Sequence, residues 1–229
     1  MPTGFFHHIG TFLLLAATVL LIVTCISAPV VHNIGLLKVD LDDQSFNHRT
    51  VAFGTFGYCI NDPNAPDDCS PSRVGYSPAT VMNIIDGTDF SDYAEDTTRA
   101  LTKAMILHPI ACGLNFIAFL LALGAGMVGS LLASLVALIA FIVTAVALII
   151  DFVMFSIVRN NVNDNVTDAH AYFGEAAWTT LVAAICSLVG TVVVFLTCCS
   201  ARLHKRRNRG VVPAKGEYVE PPRRRRRFF

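Results

Sequence analysis

The chain has 229 residues, of which 54% are hydrophobic and 15% charged, and its mean hydropathy is +0.57. A soluble domain is only about 45–50% apolar, so the composition excludes an ordinary soluble protein. The formal net charge of zero combines an acidic segment, residues 30–102 with net charge −7, and a basic segment, residues 201–229 with net charge +9.

Four apolar blocks predict four transmembrane helices, because about 20 residues at helical rise cross a hydrocarbon core of ~30 Å. We place these spans at about residues 9–28, 104–127, 131–158 and 173–199. Together they define a membrane domain over residues 1–200, followed by a basic tail over residues 201–229. Pro29 ends the first helix, since proline cannot continue the hydrogen-bond ladder.

A cleaved signal peptide is the alternative for the first block, which contains the cleavage-like Ile26-Ser27-Ala28. The block begins without Lys or Arg and is longer than a usual signal core, and proline follows the potential cleavage site. We therefore retain it as a span. Cleavage would leave three spans and place the N-terminus outside.

The charge distribution predicts the orientation. Residues 201–229 carry 11 of the 17 Lys and Arg residues, and such residues stay on the cytoplasmic side. With four spans, both termini are then cytoplasmic, and the loops 30–102 and 159–172 face outside.

The first outer loop predicts a small β-sheet. Gly35–Leu41 alternates apolar and polar residues, as a half-buried strand does. Thr50–Tyr58 and Ser72–Tyr76 predict two more strands, and Asn61–Asp68 is rich in the residues of turns. Residues 77–102 predict a short helix that leads into the second span.

Cys59 and Cys69 lie ten positions apart in this outer loop. An oxidising compartment favours a disulfide between them, which would stabilise the loop by about 3 kcal/mol. A zinc site or free thiols are the alternatives, although zinc requires two further ligands and His48 alone does not supply them. Cysteines within the spans are packing residues in this interpretation: Cys25, Cys112 and Cys186.

Gly124, Gly126 and Gly129 form a G-x-G-x-x-G pattern, and Asp151 follows 22 residues later. A dinucleotide site needs a preceding strand, whereas this segment joins two spans, so no cofactor is predicted. We interpret the glycines as a tight turn. Small residues are expected to pack the second and third spans together, namely Gly113, Ala118, Ala122, Gly126 and Gly129 with Ala133, Ala137 and Ala140.

The third span, extended to residue 158, is roughly 42 Å long at helical rise, so its outer end is expected above the bilayer. This places Asp151 near the outer interface. Asp151 and Glu175 are the acids in or near the spans. With almost no polar residues to line a path, a transporter or channel is disfavoured.

Two segments predict modifications. Asn165-Val166-Thr167 is an N-glycosylation acceptor in the second outer loop. Cys198 and Cys199, at the inner membrane face beside Arg202, are in a palmitoylation context, with packing or free thiols as alternatives.

The tail is charged and without apolar periodicity, which predicts disorder. Its basic clusters predict contact with anionic inner-leaflet lipids, at about 1 kcal/mol per residue, while the first cluster also fixes topology. Nothing else supports nucleic-acid binding. The clusters are Arg202, Lys205, Arg206, Arg207 and Arg209, then Arg223, Arg224, Arg225, Arg226 and Arg227.

No catalytic constellation is recognisable, so we predict no enzyme activity, metal or small-molecule substrate. His32, His48, His108 and His170 are all expected near the outer side. They are ordinary surface or interface residues in one interpretation. In the other they respond to pH, because imidazole titrates near pH ~6.5.

One loop motif and the first span carry a family resemblance. The motif consists of Phe53, Gly54, Phe56, Gly57, Tyr58, Cys59, Cys69, Arg73, Gly75 and Tyr76. It resembles the Gly-aromatic-Cys…Cys signature of the claudin superfamily, with Phe where claudins use Trp. With His7–Val31 included, the chain is more similar to the fungal PalI family, which includes the cortical-patch Sur proteins, over roughly residues 5–200.

This resemblance implies a membrane α-helical fold, a claudin-like bundle of four transmembrane helices with a small extracellular β-sheet. It implies a non-enzymatic fungal plasma-membrane protein that is an accessory component of ambient-pH signalling. The alternative is a structural organiser of cortical membrane domains that supports cell wall integrity and endocytosis. Expected partners are membrane lipids and other membrane proteins or a second copy, with small-residue faces or a sheet edge as contact surfaces.

Overall fold

The computed structural model describes residues 5–41, 49–87, 89–124, 127–165 and 169–209. Four long helices form a bundle, and a five-stranded antiparallel sheet covers one end of it. The helices are α1 (Phe5–Cys25), α2 (Pro78–Asp86), α3 (Asp92–Lys103), α4 (Leu107–Leu123), α5 (Met127–Asn165) and α6 (Glu175–Arg209). The strands are β1 (Leu37–Leu41), β2 (Arg49–Phe53), β3 (Tyr58–Asn61), β4 (Asp68–Cys69) and β5 (Ala169–Phe173).

Four helical segments are long and apolar enough to cross a membrane, which confirms the predicted number of spans. A 3₁₀ turn at Ala104–Ile106 joins α3 to α4, so the second segment is longer than predicted. The segments are His7–Cys25, Asp92–Leu123, Leu131–Asp164 and Glu175–Ser200. Since α6 continues to Arg209, residues 202–209 are helical, contrary to the expectation of an irregular tail.

Small residues pack the bundle at most of the predicted positions. The predicted positions that are buried are all alanines, namely Ala118, Ala122, Ala133, Ala137 and Ala140. Gly113 is an error of the sequence interpretation, because it is exposed and a β-carbon built there meets nothing within 4 Å. Gly129 belongs to α5 and not to the second span, and Gly126 lies outside the described residues.

The sheet has the strand order β4-β3-β2-β1-β5. Its apolar face rests on the end of α5, where Met154, Phe155, Val158 and Val162 are buried against it. With 39 residues, α5 is roughly 58 Å long at helical rise. It is therefore longer than a bilayer core of ~30 Å, and its residues belong to the cores of both layers.

Three features of the loop differ from the sequence interpretation. The predicted strand Thr50–Tyr58 is two strands, because a turn at Gly54–Gly57 separates β2 from β3, with the Gly54 N–H donating to the Gly57 carbonyl at 2.8 Å. Ser72–Tyr76 is not a strand, and Gly75 within it has a left-handed φ of 81°. The segment 77–102 holds two helices, α2 and α3, each N-capped by a serine, Ser77 or Ser91.

The second outer loop supplies a strand that the sequence interpretation missed. β5 pairs with β1 in antiparallel register, with Ala171 opposite Val39. A five-residue strand beside the start of a long apolar helix gives little local signal. Its partner lies more than 100 residues earlier in the chain, so the pairing depends on tertiary contacts.

Candidate functional site

The family motif forms the joint between the sheet and the first helix. The turn after β2 lies so close to the end of α1 that a β-carbon at Gly54 would collide with the backbone of Ala28. Next to it, the Thr55 N–H donates to Ser27 Oγ at 3.0 Å, and Thr55 Oγ1 donates to the Thr24 carbonyl at 2.8 Å. Glycine is therefore required for this docking, which gives the motif a structural reason.

Tyr76 connects three parts of this joint. Its ring packs with Phe53 and Tyr58, with centroids 6.5 and 6.2 Å away. Its hydroxyl donates to the Gly54 carbonyl at 2.7 Å, and its own carbonyl accepts from Thr102 Oγ1 of α3 at 2.6 Å. Burial, with the nearby charge of Asp151 as a second cause, raises the pKa of Tyr76 above its usual range, so the phenol remains a neutral donor.

The two motif cysteines form the expected disulfide. Cys59 and Cys69 face each other across β3 and β4, with an S–S distance of 2.04 Å. His32 Nδ1 or Nε2 lies within 4.8 Å of both sulfur atoms, but sulfur atoms in a disulfide are not thiolates and do not ligate zinc. His48, the residue considered as a ligand from sequence, lies outside the described residues.

The remaining motif residues support the same turn. The Arg73 N–H donates to the Phe56 carbonyl at 2.8 Å, while the Arg73 side chain is exposed. A β-carbon at Gly57 would press on Ser70 Oγ and Pro29. The motif is thus a packing unit that joins sheet and bundle, and its geometry offers no catalytic group.

Directly beneath this joint, His108 of α4 and Asp151 of α5 form a buried hydrogen-bonded pair. His108 Nε2 lies 2.9 Å from Asp151 Oδ2, and the two side chains are only 1% and 2% exposed. The other ring nitrogen, Nδ1, lies 3.1 Å from the Met105 carbonyl. Sequence analysis placed both residues at the outer side without pairing them. Asp151 is enclosed by protein there, and its Oδ1 atom has no hydrogen-bond partner among the described residues.

A second polar contact between α4 and α5 lies closer to the turn that joins them. Asn115 is seven residues after His108, and Thr144 is seven residues before Asp151. Asn115 Nδ2 donates to Thr144 Oγ1 at 3.2 Å, and Asn115 Oδ1 accepts from Ser187 Oγ of α6 at 2.9 Å. Another seven residues towards the turn, the corresponding residues of α4 and α5 are the buried alanines Ala122 and Ala137. Positions equidistant from the α4–α5 turn therefore meet, a regularity from which the His108–Asp151 contact is predictable.

The spans contain more buried polar residues than the sequence interpretation allowed. However, these side chains are hydrogen-bonded to one another or to backbone. Within the described residues, the buried side-chain atoms without a partner are Asn61 Oδ1 and Asp151 Oδ1. Some of them connect helices, as Asn115 does with Thr144 and Ser187, whereas Thr11 and Thr18 donate to carbonyls of their own helix.

The far end of the bundle has its own polar contact. His7 Nε2 of α1 donates to the Ala122 carbonyl of α4 at 3.0 Å. On α6, Cys198 is buried and Cys199 half-buried, and acylation of either remains a prediction. The basic side chains after residue 200 and the Asn165 side chain lie outside the described residues, although the Asn165 backbone ends α5.

The outer face of the sheet is polar. An open hollow of about 400 Å³ is lined by Asn33, Lys38, Thr50, Asn61, Asp62, Pro63, Asp67 and Tyr172. Charged groups around it are paired, Lys38 with Glu175 at 2.8 Å and Arg49 with Asp62 at 2.7 Å. The Asn64 N–H and Arg49 lower the pKa of the Asp62 carboxyl.

One sheet edge is closed by a side chain. Asn163 of α5 accepts from the Ala171 N–H at 2.8 Å and donates to the Ala171 carbonyl at 3.2 Å. These are the backbone groups that an added strand would use, so β5 is not a free pairing edge at this position.

Fold and site together define a four-span, claudin-like membrane protein whose sheet is fixed to its bundle by a Gly-aromatic-Cys motif. The sequence profile of the SUR7/PalI family matches residues 6–202. The chain therefore belongs to the SUR7/PalI family, which confirms the resemblance seen in the sequence.

Individual relatives match about half of this chain. It is 35% identical over 117 residues to the pH-response regulator protein palI/RIM9 of Emericella nidulans, covering 50% of this chain and 18% of that protein. It is 34% identical over 113 residues to palI/prr-5 of Neurospora crassa, covering 49% and 15%. It is also 29% identical over 114 residues to the uncharacterized membrane protein TOS7 of Saccharomyces cerevisiae, covering 50% and 18%. Each match spans less than a fifth of the relative.

Proposed function

We propose that this protein is a non-enzymatic accessory component of ambient-pH signalling in the plasma membrane. The observation that carries the proposal is the similarity of half the chain to several proteins named as pH-response regulators, within a family match that spans almost the whole bundle and sheet. The site geometry suits a protein that acts by contact, because the motif joins the sheet to the bundle.

In this proposal the sheet faces outside and both termini face the cytoplasm. The support is the concentration of Lys and Arg after residue 200. The protein then acts by contact, presenting the sheet to the medium and the bundle to a partner membrane protein or a second copy. The basic residues near the inner face, with Cys198 and Cys199, would hold the tail at anionic lipid.

The test is to delete the gene in its fungal host and to measure growth at alkaline pH together with the pH-dependent processing of the downstream signalling component. We expect an alkaline growth defect and loss of processing, both restored by the full chain. Normal processing at alkaline pH in the deletion strain would exclude the proposal.

A structural organiser of cortical membrane domains is the second candidate. The match to TOS7, an uncharacterized membrane protein, shows that similarity to this chain extends beyond proteins named for pH response, so the comparisons do not restrict the function to pH signalling. The same deletion strain separates the two functions. Sensitivity to cell-wall stress with dispersed membrane patches, but with normal alkaline processing, would support the organiser.

A further inference from the structure

We propose that the His108–Asp151 pair is a proton-operated latch, which holds α4 to α5 at neutral and acidic pH and releases them at alkaline pH. The physiological role of the latch rests on the proposed function. Beyond that function, the proposal assigns the pH-sensitive group to His108 and Asp151. It is carried by the burial of the pair, its hydrogen-bond geometry and its place beneath the joint of sheet and bundle.

Proton counting defines the state of the pair. The Met105 carbonyl can only accept, so His108 Nδ1 carries a hydrogen. His108 Nε2 and Asp151 Oδ2 are 2.9 Å apart, a hydrogen-bond distance that requires one proton between them. Whether that proton lies on the imidazole or on the carboxyl, the pair as a whole is neutral. A neutral pair is the form that a buried, lipid-surrounded site tolerates.

Loss of the shared proton changes this balance. Hydroxide takes the proton and forms water, and the imidazole becomes neutral beside an ionised carboxylate. The single remaining ring proton cannot serve both acceptors, so either Nε2 faces the Oδ2 anion with a lone pair or the Met105 carbonyl loses its donor. In both tautomers the bundle holds an uncompensated buried charge. This state is strongly unfavourable, and separation of α4 from α5 with entry of water relieves it. Asp151 Oδ1, which has no partner among the described residues, is the atom that the water would reach first.

The ionisable groups around the pair do not replace the missing proton. Tyr76 faces it from the sheet side and interacts with Asp151 electrostatically, but its hydroxyl hydrogen already bonds to Gly54. On α4, the Cys112 thiol one turn away donates to a backbone carbonyl of α1. Of the cations towards the sheet, Lys103 is exposed, with its methylene carbons packed beside Gly75, and Arg159 lies 5.7 Å from the Phe173 ring centroid.

On α1, His7 Nδ1 lies 3.5 Å from Thr197 Oγ1 of α6 at the far end of the bundle, and Cys25 interacts electrostatically with Cys112. At the sheet end, α1 and α6 meet through uncharged hydroxyls. Thr24 Oγ1 lies 3.1 Å from the hydroxyls of both Thr179 and Thr180. Glu175, the acid at the start of α6, is paired with Lys38 on the sheet. The pH response is therefore assigned to the pair itself.

A short path of hydrogen bonds and intervening backbone connects the latch to the family motif. Met105, whose carbonyl accepts from His108, lies in the 3₁₀ turn directly after α3. At the end of α3, Thr102 bonds to the Tyr76 carbonyl, and Tyr76 in turn bonds to Gly54. Release of α4 therefore weakens the support of the turn between β2 and β3, so a proton lost inside the bundle changes the sheet.

The experiment is amide hydrogen exchange on the full chain in lipid nanodiscs between pH 5 and 9, corrected for the pH dependence of chemical exchange. For the wild type we expect protection of residues 99–112 to fall by about a hundredfold on going from pH 6 to pH 9, the scale for breaking a buried pair. In Asp151→Asn, the amide donates to neutral His108 and no proton is shared. We expect its protection to be the same at both pH values.

Two variants separate the latch from a purely structural contact. Asn115→Val breaks the matching uncharged contact two turns away, so it should lower protection equally at pH 6 and pH 9. The double variant His108→Gln with Asp151→Asn keeps an amide–amide hydrogen bond and should also be insensitive to pH, which covers the case that Asp151→Asn alone fails to fold. Tyr76→Phe should retain the pH response of residues 99–112 and lose it in residues 53–58.

Flat wild-type protection between pH 6 and 9 would overturn the proposal. An unchanged pH response in Asp151→Asn would overturn it as well. These readouts are independent of signalling. If the latch titrates but the deletion strain processes its signal normally, the proposed function fails and the latch stands. If the deletion strain is defective and Asp151→Asn restores it fully, the signalling role of the latch is excluded.

Discussion

The sheet and the bundle are stabilised by different means. The sheet has a disulfide and large buried side chains such as Phe53 and Leu37, and it gains free energy from the burial of apolar surface away from water. The bundle has buried alanines and hydrogen-bonded pairs such as Asn115–Thr144. Since lipid is as apolar as leucine, burying apolar side chains between membrane helices gives no hydrophobic gain, and close packing and hydrogen bonds stabilise the bundle instead. Substitutions that remove side-chain volume should therefore destabilise the sheet most. Substitutions that disturb the close packing of helices should destabilise the bundle most.

The largest effect is expected from Phe53→Ala. This side chain is fully buried in the core between sheet and α5, so its truncation should lower the free energy of unfolding by about 3–5 kcal/mol. Denaturant titration of the full chain in detergent measures the change. The matched control is Phe116→Ala on α4, where the side chain is 45% exposed on the bundle surface. An equal loss in both variants would contradict the comparison.

A smaller loss is expected from Cys59→Ser. Opening the disulfide should lower the free energy of unfolding by about 3 kcal/mol and reduce delivery of the protein to the cell surface, measured by surface labelling. Cys69→Ser and the double variant should give the same loss, since each removes the same bond. Normal surface delivery of all three would show that the disulfide is dispensable.

In the bundle, Asn115→Ala should lower the free energy of unfolding by about 1 kcal/mol, the scale of one hydrogen bond between membrane helices. Thr144→Val removes the other partner, and the double variant shows whether the two residues act as one contact. A loss as large as that of Phe53→Ala would mean that polar contacts dominate the bundle.

The smallest effect is an acid-side dependence of the sheet. The pKa of Asp62 is lowered by the Asn64 N–H and by Arg49, so this carboxylate stabilises the fold above the unfolded-state pKa of about 3.9 and loses that contribution as the pH falls further. Asp62→Asn should unfold at slightly lower denaturant than the wild type at pH 7. The difference should shrink as the pH falls through the lowered pKa of the folded-state Asp62 carboxyl, and a difference that does not change with acidification would rule out the ionised form as its cause.

The features that could be predicted from the sequence are those with a local pattern. Four apolar blocks, the alternation in Leu37–Leu41, the turn before Cys69 and the cysteine pair all have signals within about 20 residues, and each appears in the structure. β5 was missed because its pairing with β1 is decided by distant contacts.

The candidate site was predicted only in part. The motif residues were recognised, but the reason for Gly54 is its contact with α1, which no local pattern reveals. The His108–Asp151 contact joins positions 43 residues apart. Hairpin geometry predicts this contact, since residues at equal distances from the turn meet, whereas the pattern of either helix alone does not.

The amide of Asn163 has a consequence for assembly. It satisfies the Ala171 backbone in the way that a neighbouring strand would, so the helix that supports the sheet also terminates it. The opposite edge is the two-residue β4, tied to β3 by the disulfide. At Ala171, therefore, β5 has no free backbone groups for a strand of a second copy, and pairing through this edge would have to use other positions.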